Sequence, residues 1–399
     1  MMYFKNASLR LRSIGLALFF AVISFSQNVY AESELASILE ETPAELGERI
    51  ASEFANALNS GDIERAKQYL DVNSLAKLVT EELDLTPAMK TGFMKGFLQS
   101  ATPESLVNSF LNISPNEVTY YNFKRTIETE EFGARPLIRI DFEEGGHEFV
   151  LLFINENQLI EDFYFGSKAN LTSRISANAA RMFVGSKRSF LARMMSGDSV
   201  DNQVLENFQK MIAHHREGDP EKAYESLNKL PEELLKSRFV IDMGIVFAQQ
   251  LNDTEYMKQL SNLNKYHGDN ESTAFMLIDY HFMNDDLDSA LRGADMAMAF
   301  WGASDAALLN LKSTIYSLQN KLDKAIEMSK LAIKSEPEFD GGYWNLATFY
   351  NLQGDFASLT DILQRINLVF DAGITSETIA TVDEYQLYTE SEEFKNAWE

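Results

Sequence analysis

Leu309-Asn310-Leu311-Lys312-Ser313-Thr314-Ile315-Tyr316 and Tyr343-Trp344-Asn345-Leu346-Ala347-Thr348-Phe349-Tyr350 lie 34 residues apart, and superposing them sets like residues on like. Leu309 meets Tyr343, Ser313 meets Ala347 and Tyr316 meets Tyr350; further on, Leu322 meets Phe356 and Ala332 meets Ile366. Apolar residues recur three and four apart within each copy, so each copy reads as two amphipathic helices joined by the turns Gln319-Asn320-Lys321 and Gln353-Gly354-Asp355. A repeat of this length marks a stacked helix pair that buries its apolar face only against its neighbours.

Small residues at Ser313, Ala347 and Ala325 let the helices approach closely. Pro337 ends a second helix because it has no amide to donate, and Asp371 takes its place in the last copy, where Leu359 stands opposite Ala325. These residues resemble the tetratricopeptide repeat, with a degenerate final copy. The phase continues upstream through Asp285-Asp286-Leu287 before Ala290, through Gly244 before Asn252-Asp253, and through Gly218 to Ala223. About five helix pairs are expected over 200–371.

The first 31 residues read as a cleaved bacterial signal peptide, with Lys5, Arg10 and Arg12 before an apolar run from Ile14 to Phe25 and a Val29-Tyr30-Ala31 end. That run is far shorter than the roughly 20 residues a membrane-spanning helix needs. The chain has no Cys, which excludes disulfides, thiolate metal sites, Cys nucleophiles and a lipid-bearing Cys. A periplasmic location is therefore expected. Removing the three cations of the signal takes the net charge from -25 to -28, a field that repels nucleic acid and anionic headgroups.

Between signal and repeats the period changes from helical to alternating. Thr42-Pro43-Ala44-Glu45 is a capping box opening a helix through Ile50, Phe54 and Leu58, and Thr86-Pro87 and Thr102-Pro103 open two more. From Val118 the chain reads as strands: Ile138, Ile140 and Phe142 alternate with Arg139 and Asp141, Gly145-Gly146 makes a hairpin turn, and Phe149–Ile154 and Leu159–Phe165 follow. Helices followed by an antiparallel meander make a small α+β domain. Its Phe54-Ala55-Asn56-Ala57-Leu58-Asn59-Ser60-Gly61-Asp62 stretch resembles the first helix and turn of the NTF2-like, cystatin-like superfamily, which implies a cone that often holds a small ligand. Tyr120, Tyr121, Asp141, His147 and Tyr164 are the polar groups for the mouth of such a cone.

The expected organisation is a signal peptide (1–31), an α+β domain (32–166), a basic helical linker (167–199), the repeats (200–371) and a capping segment (372–399) of one or two helices. The linker carries Lys168, Arg174, Arg181, Lys187, Arg188 and Arg193 and no acid up to Gly197; docking on the acidic repeats is the expected use of its charge, and the alternative is a basic amphipathic segment that meets a membrane surface or an acidic partner.

No catalytic motif, phosphate loop, calcium loop or metal-spaced His set occurs, so no enzyme activity, cofactor or metal is expected. The expected function is that of an adaptor binding another protein on the face lined by the first helix of each pair. The tetratricopeptide resemblance places Phe275, Met276, Phe282 and Met283 on that face in one repeat, Asn310, Thr314 and Leu318 in the next, and Trp344, Asn345, Thr348 and Leu352 in the last. Apolar residues with amides between them suit a peptide whose backbone the amides pair. One helix must serve two faces, so part of this set is expected to pack against the neighbouring repeat. Members that clamp a C-terminal carboxylate use Lys and Arg at these positions, and none stands here. The alternative is a ligand-binding or catalytic N-terminal domain with the repeats as its docking module.

Overall fold

The capping box at Thr42 opens the first helix as its sequence requires: Glu45 N donates to Thr42 Oγ1 at 3.3 Å and Thr42 N donates to Glu45 Oε2 at 2.9 Å. A computed structural model of the chain describes residues 42–398 apart from 84, 112–117, 144–145, 184–201, 269–272 and 302–304. The expected signal peptide, Gly145 of the hairpin turn and most of the basic linker beyond Phe183 lie outside the described residues.

Helices α1 (Pro43–Asn59), α2 (Ile63–Lys67), α3 (Val72–Glu81), α4 (Pro87–Ser100) and α5 (Pro103–Leu111) precede a five-stranded antiparallel sheet. Its strands β1 (Val118–Thr129), β2 (Gly133–Phe142), β3 (His147–Ile154), β4 (Ile160–Phe165) and β5 (Asn170–Leu171) pair in sequence order. Gly146 takes φ +89°, the left-handed region that glycine enters without a Cβ clash.

Side chains alternate between the two faces of the sheet. One face sends Ile138, Ile140, Val150, Leu152, Phe163 and Phe165 against Ile50, Phe54 and Leu58 of α1. Phe110 of α5 fills the middle, edge-on to Phe54 at 5.4 Å and to Phe163 at 4.8 Å. The other face carries Leu137, Phe149, Leu151 and Tyr164, and it is buried by the repeats, through Ala297, Trp301 and Leu308.

The chain beyond Gly166 stays with the sheet. It forms β5 and then α6 (Thr172–Phe183), whose first turn is held by Asp162 of β4 through Ser173 N at 3.0 Å, and whose Ala177 and Ala180 pack among Leu75 and Val79 of α3.

Five helix pairs follow among the described residues: α7 (Asn202–Arg216) with α8 (Pro220–Asn228), α10 (Arg238–Gln249) with α11 (Asp253–His267), α12 (Leu277–Met283) with α13 (Leu287–Trp301), α14 (Ala306–Leu318) with α15 (Leu322–Ser335), and α16 (Gly341–Gln353) with α17 (Phe356–Phe370). A single turn, α9 (Glu232–Leu235), intervenes after the first pair. The residues that precede the second helices, Asp219, Asn252, Asp286, Lys321 and Asp355, fall 33, 34, 35 and 34 apart. Four of these are Asp or Asn whose side chains accept from the first free amides of the helix.

Close approach is built in where the repeat demands small residues. Ala325, Ala347 and Ser313 are fully buried, and a Cβ at Gly244 would stand 2.8 Å from Gln259 of the facing helix. Helix α15 stops at Ser335, two residues before Pro337, and α17 ends on Asp371 at φ +50°. Three short helices close the array, α18 (Ser376–Ala380), α19 (Gln386–Thr389) and α20 (Glu392–Trp398). Their Ile379, Tyr388 and Phe394 cover Leu359, Leu363 and Ile366 of the last pair.

Candidate protein-binding face

The first helices of the last three pairs start at the sheet and end away from it. Asp305, Ala306 and Leu308 at the start of α14, Phe275 just before α12, and Glu336 and Phe339 ahead of α16 all reach the sheet or the ion pairs on it. The opposite ends, at the turns into the second helices, point elsewhere. Each of these helices thus has an occupied end and an open end.

The occupied end is an ionic and aromatic weld. Arg139 of β2, 2% exposed, donates from Nε to Asp141 at 2.7 Å and from Nη1 to both oxygens of the fully buried Asp305 at 3.3 Å, and its fork engages Glu336 at 3.1 Å. Pairing in β1 passes from Phe123 opposite Ile138 to Arg125 opposite Leu137. This bulge absorbs Lys124 as an extra residue, so two consecutive cations meet the repeats. Lys124 pairs with Glu336, and Arg125 donates to the Trp301 carbonyl at 2.7 Å. Burial alone would lower the Arg139 pKa, but Asp305, Asp141 and Glu336 raise it above the ordinary guanidinium value. Against the same opposing burial, Glu336 is held low by Arg139 and Lys124, and Asp141 by His147 and Arg139. Beside the ions, Trp301 stacks on Phe149 at 5.3 Å.

Arg139 and Asp141, which alternate with Ile138 and Ile140 in the sequence, lie on the sheet face that meets the array. The array covers that face: Arg139 pairs with Asp305 and Glu336 of the repeats, and Asp141 with Arg139 and His147 of the sheet. The five residues proposed for a cone mouth do not converge. Tyr121 is buried on the helical side with its hydroxyl donating to the Phe110 carbonyl at 3.0 Å, and Tyr164 packs on Trp301. Tyr120, Asp141 and His147 lie opposite one another across three strands, and His147 Nδ1 is 2.7 Å from Asp141.

The eleven residues expected on the binding face divide by their place along the helices. Phe275 is edge-on to Phe149 at 5.6 Å and so serves the sheet. Met276 packs beside the second pair, where Arg238 Nη2 reaches its sulfur, and Phe282 packs with Ile278 and Ala290. Asn345 Nδ2 donates to Asn310 Oδ1 and to Ser313 Oγ, both at 2.7 Å, tying α16 to α14. Thr314 and Thr348 donate their hydroxyls to the carbonyls one turn back, Asn310 and Trp344.

Four large apolar side chains of the set stay open. Trp344 is 39% exposed, and Met283, Leu318 and Leu352 are 37, 54 and 61% exposed. The last three each stand three residues before the residue leading into the second helix, so they occupy the same position in successive repeats and form a ladder along the open end. Adjacent helices lie about 8–10 Å apart, which makes the ladder about 20 Å long.

Among the described residues, no helix is long and apolar enough to cross a membrane and no group of three or more His, Asp or Glu is arranged to hold a metal. No protein-family model matches the chain, and no curated protein matches it. Among solved structures, MamA (residues 41 to the end) from Desulfovibrio magneticus RS-1 is 16% identical over 43% of this chain and 97% of its own, with a TM-score of 0.35. A tetratricopeptide repeat protein from Parabacteroides merdae ATCC 43184 is 13% identical over 50% of this chain and 81% of its own, with a TM-score of 0.38.

Proposed function

We propose that the protein is an exported, periplasmic adaptor that binds another protein of the cell envelope on the open ends of its first helices. The single observation that carries this reading is the ladder of Met283, Leu318 and Leu352. Scattered apolar residues on a surface are ordinary, but three exposed at one repeat position recur in register along the array, and apolar surface aligned in this way marks an interaction site. Trp344 adds an aromatic anchor of the kind that dominates binding energy at interfaces. The exported location rests on the signal-like first 31 residues and the absence of Cys.

The N-terminal domain, NTF2-like in its order of elements, acts in this reading as a buttress. Phe54, Phe110, Phe163 and Phe165 occupy the space between helices and sheet where a ligand would sit, which favours a structural role over a catalytic one. The test is capture from detergent-solubilised envelope with residues 32–399, beside the Leu318→Glu, Leu352→Glu double variant. A specific protein retained by the first and lost by the second is the expected result. Equal retention by both would overturn the reading, provided circular dichroism shows the variant folded.

A further inference from the structure

The two ends of the first helices differ in what covers them, and the covered end shows what these repeats accept. There the sheet presents an apolar centre, Phe149, flanked by the cations Lys124, Arg125 and Arg139, which meet Trp301 and the carboxylates Asp305 and Glu336. The open end repeats the array's half of that pattern. The ladder is bordered in sequence by Asp285, Asp286, Asp288, Asp323 and Asp355, all exposed, against the cations Lys321 and Lys324 over the same turns and first helical residues. A partner that buries the ladder therefore meets a negative rim, and cations flanking its apolar face match it.

The backbone of that partner is also constrained. Peptide groups laid across a surface must find hydrogen bonds or satisfy themselves. The donors expected to pair an extended backbone are engaged inside the array: Asn345 Nδ2 donates to Asn310 and Ser313, and the hydroxyls of Thr314 and Thr348 donate to their own helices, which leaves these side chains only acceptor oxygens to offer a peptide. An α-helix satisfies its own backbone, and its residues i, i+7 and i+14 advance about 10.5 Å at each step, which matches rungs about 10 Å apart.

We propose that the ladder is the seat of a basic amphipathic helix, with apolar residues at i, i+7 and i+14 set on Met283, Leu318 and Leu352 and with Lys or Arg beside them over the aspartate rim. The proposal rests on the adaptor reading and adds the chemistry of the partner.

The probe is a fluorescent helical peptide of about 18 residues, with Leu at those positions and Lys flanking them, measured by anisotropy against residues 32–399. Saturable binding is expected, weakened about tenfold by Leu318→Glu with Leu352→Glu, and weakened as salt rises. These substitutions make the surface more acidic, so a peptide held by charge alone would bind the variant as tightly or more tightly, and that result overturns the proposal. Stronger binding of the same peptide with Glu in place of Lys, or of its scrambled form, also overturns it. The two readings separate by competition. If an envelope partner is captured in a ladder-dependent way but the basic peptide fails to displace it, the adaptor stands and the helix proposal falls; displacement supports both.

Discussion

Arg139 is the residue on which the relation between sheet and array turns. A guanidinium can meet three carboxylates at once because its donors are fixed in a plane and stay protonated. Asp141, Asp305 and Glu336 each take part of that fork, so the ion is buried without being isolated. Removing one member of such a buried network leaves the others uncompensated, which costs about 3–5 kcal/mol. Arg139→Ala is expected to lower stability by that amount in denaturant unfolding; a loss under about 1 kcal/mol would show the carboxylates rehydrated and the weld dispensable. A second residue gives a pH-dependent test. Burial pushes the Asp162 carboxyl up to about 6 against the hydrogen bonds from Ser173 and Phe163 that favour its charge. A carboxyl raised above its unfolded value of about 3.9 stabilises the fold when protonated, so its contribution is complete below that value and is lost as pH rises through about 6. Carbon-detected NMR should find the Asp162 carboxyl titrating near 6, and Asp162→Asn should reduce the gain in stability between pH 7 and 4 relative to wild type.

At the scale of elements, the helix pairs were legible in the sequence and the surface between sheet and array was not. Asp219, Asn252 and Asp355 announce their helices because capping is a local event, settled within three residues. Gly244, Ser313 and Ala347 announce close packing because only small side chains fit there. Nothing local marks Asp305 or Glu336 as partners of Arg139, since each lies more than 160 residues away and carboxylates are abundant in this chain. The bulge at Lys124 is equally hidden: an alternating pattern assigns one face to Lys124 and the other to Arg125, and only the register with β2 shows both directed to the repeats. For the same reason the exposure of the residues expected on the first helices was only partly legible. Repeat phase located Met283, Leu318 and Leu352 at equivalent positions, while Phe275 went to the sheet and the Asn310–Asn345 pair to the joint between helices. A close contact of the repeat type is testable at Gly342, where a Cβ would lie 3.0 Å from Ile333 and 3.2 Å from the Ser329 carbonyl. Gly342→Val is expected to destabilise by about 1–3 kcal/mol through overpacking, read as a fall in the thermal midpoint; an unchanged midpoint would show the last pair to be loosely packed.

At the scale of the whole molecule, residues 42–399 form one compact unit in which the sheet is packed on both faces. The array should therefore depend on the domain before it. Cut at residue 200, it exposes Trp301 and Leu308 and leaves Asp305 and Glu336 without the cations of the sheet. Residues 32–399 are expected to unfold in a single thermal transition, and residues 200–399 at a lower temperature; equal midpoints would mean that the weld adds nothing to the array. In the proposed function the partner meets the open ends of the first helices and not the ends closed by the sheet. Photo-crosslinking tests this most directly, with a benzophenone side chain placed in turn at Leu318, Leu352 and Phe275 of the full chain in the envelope. One shared cross-linked protein is expected from 318 and 352 and none from 275. A partner cross-linked only from 275, or none from 318 and 352, would contradict it.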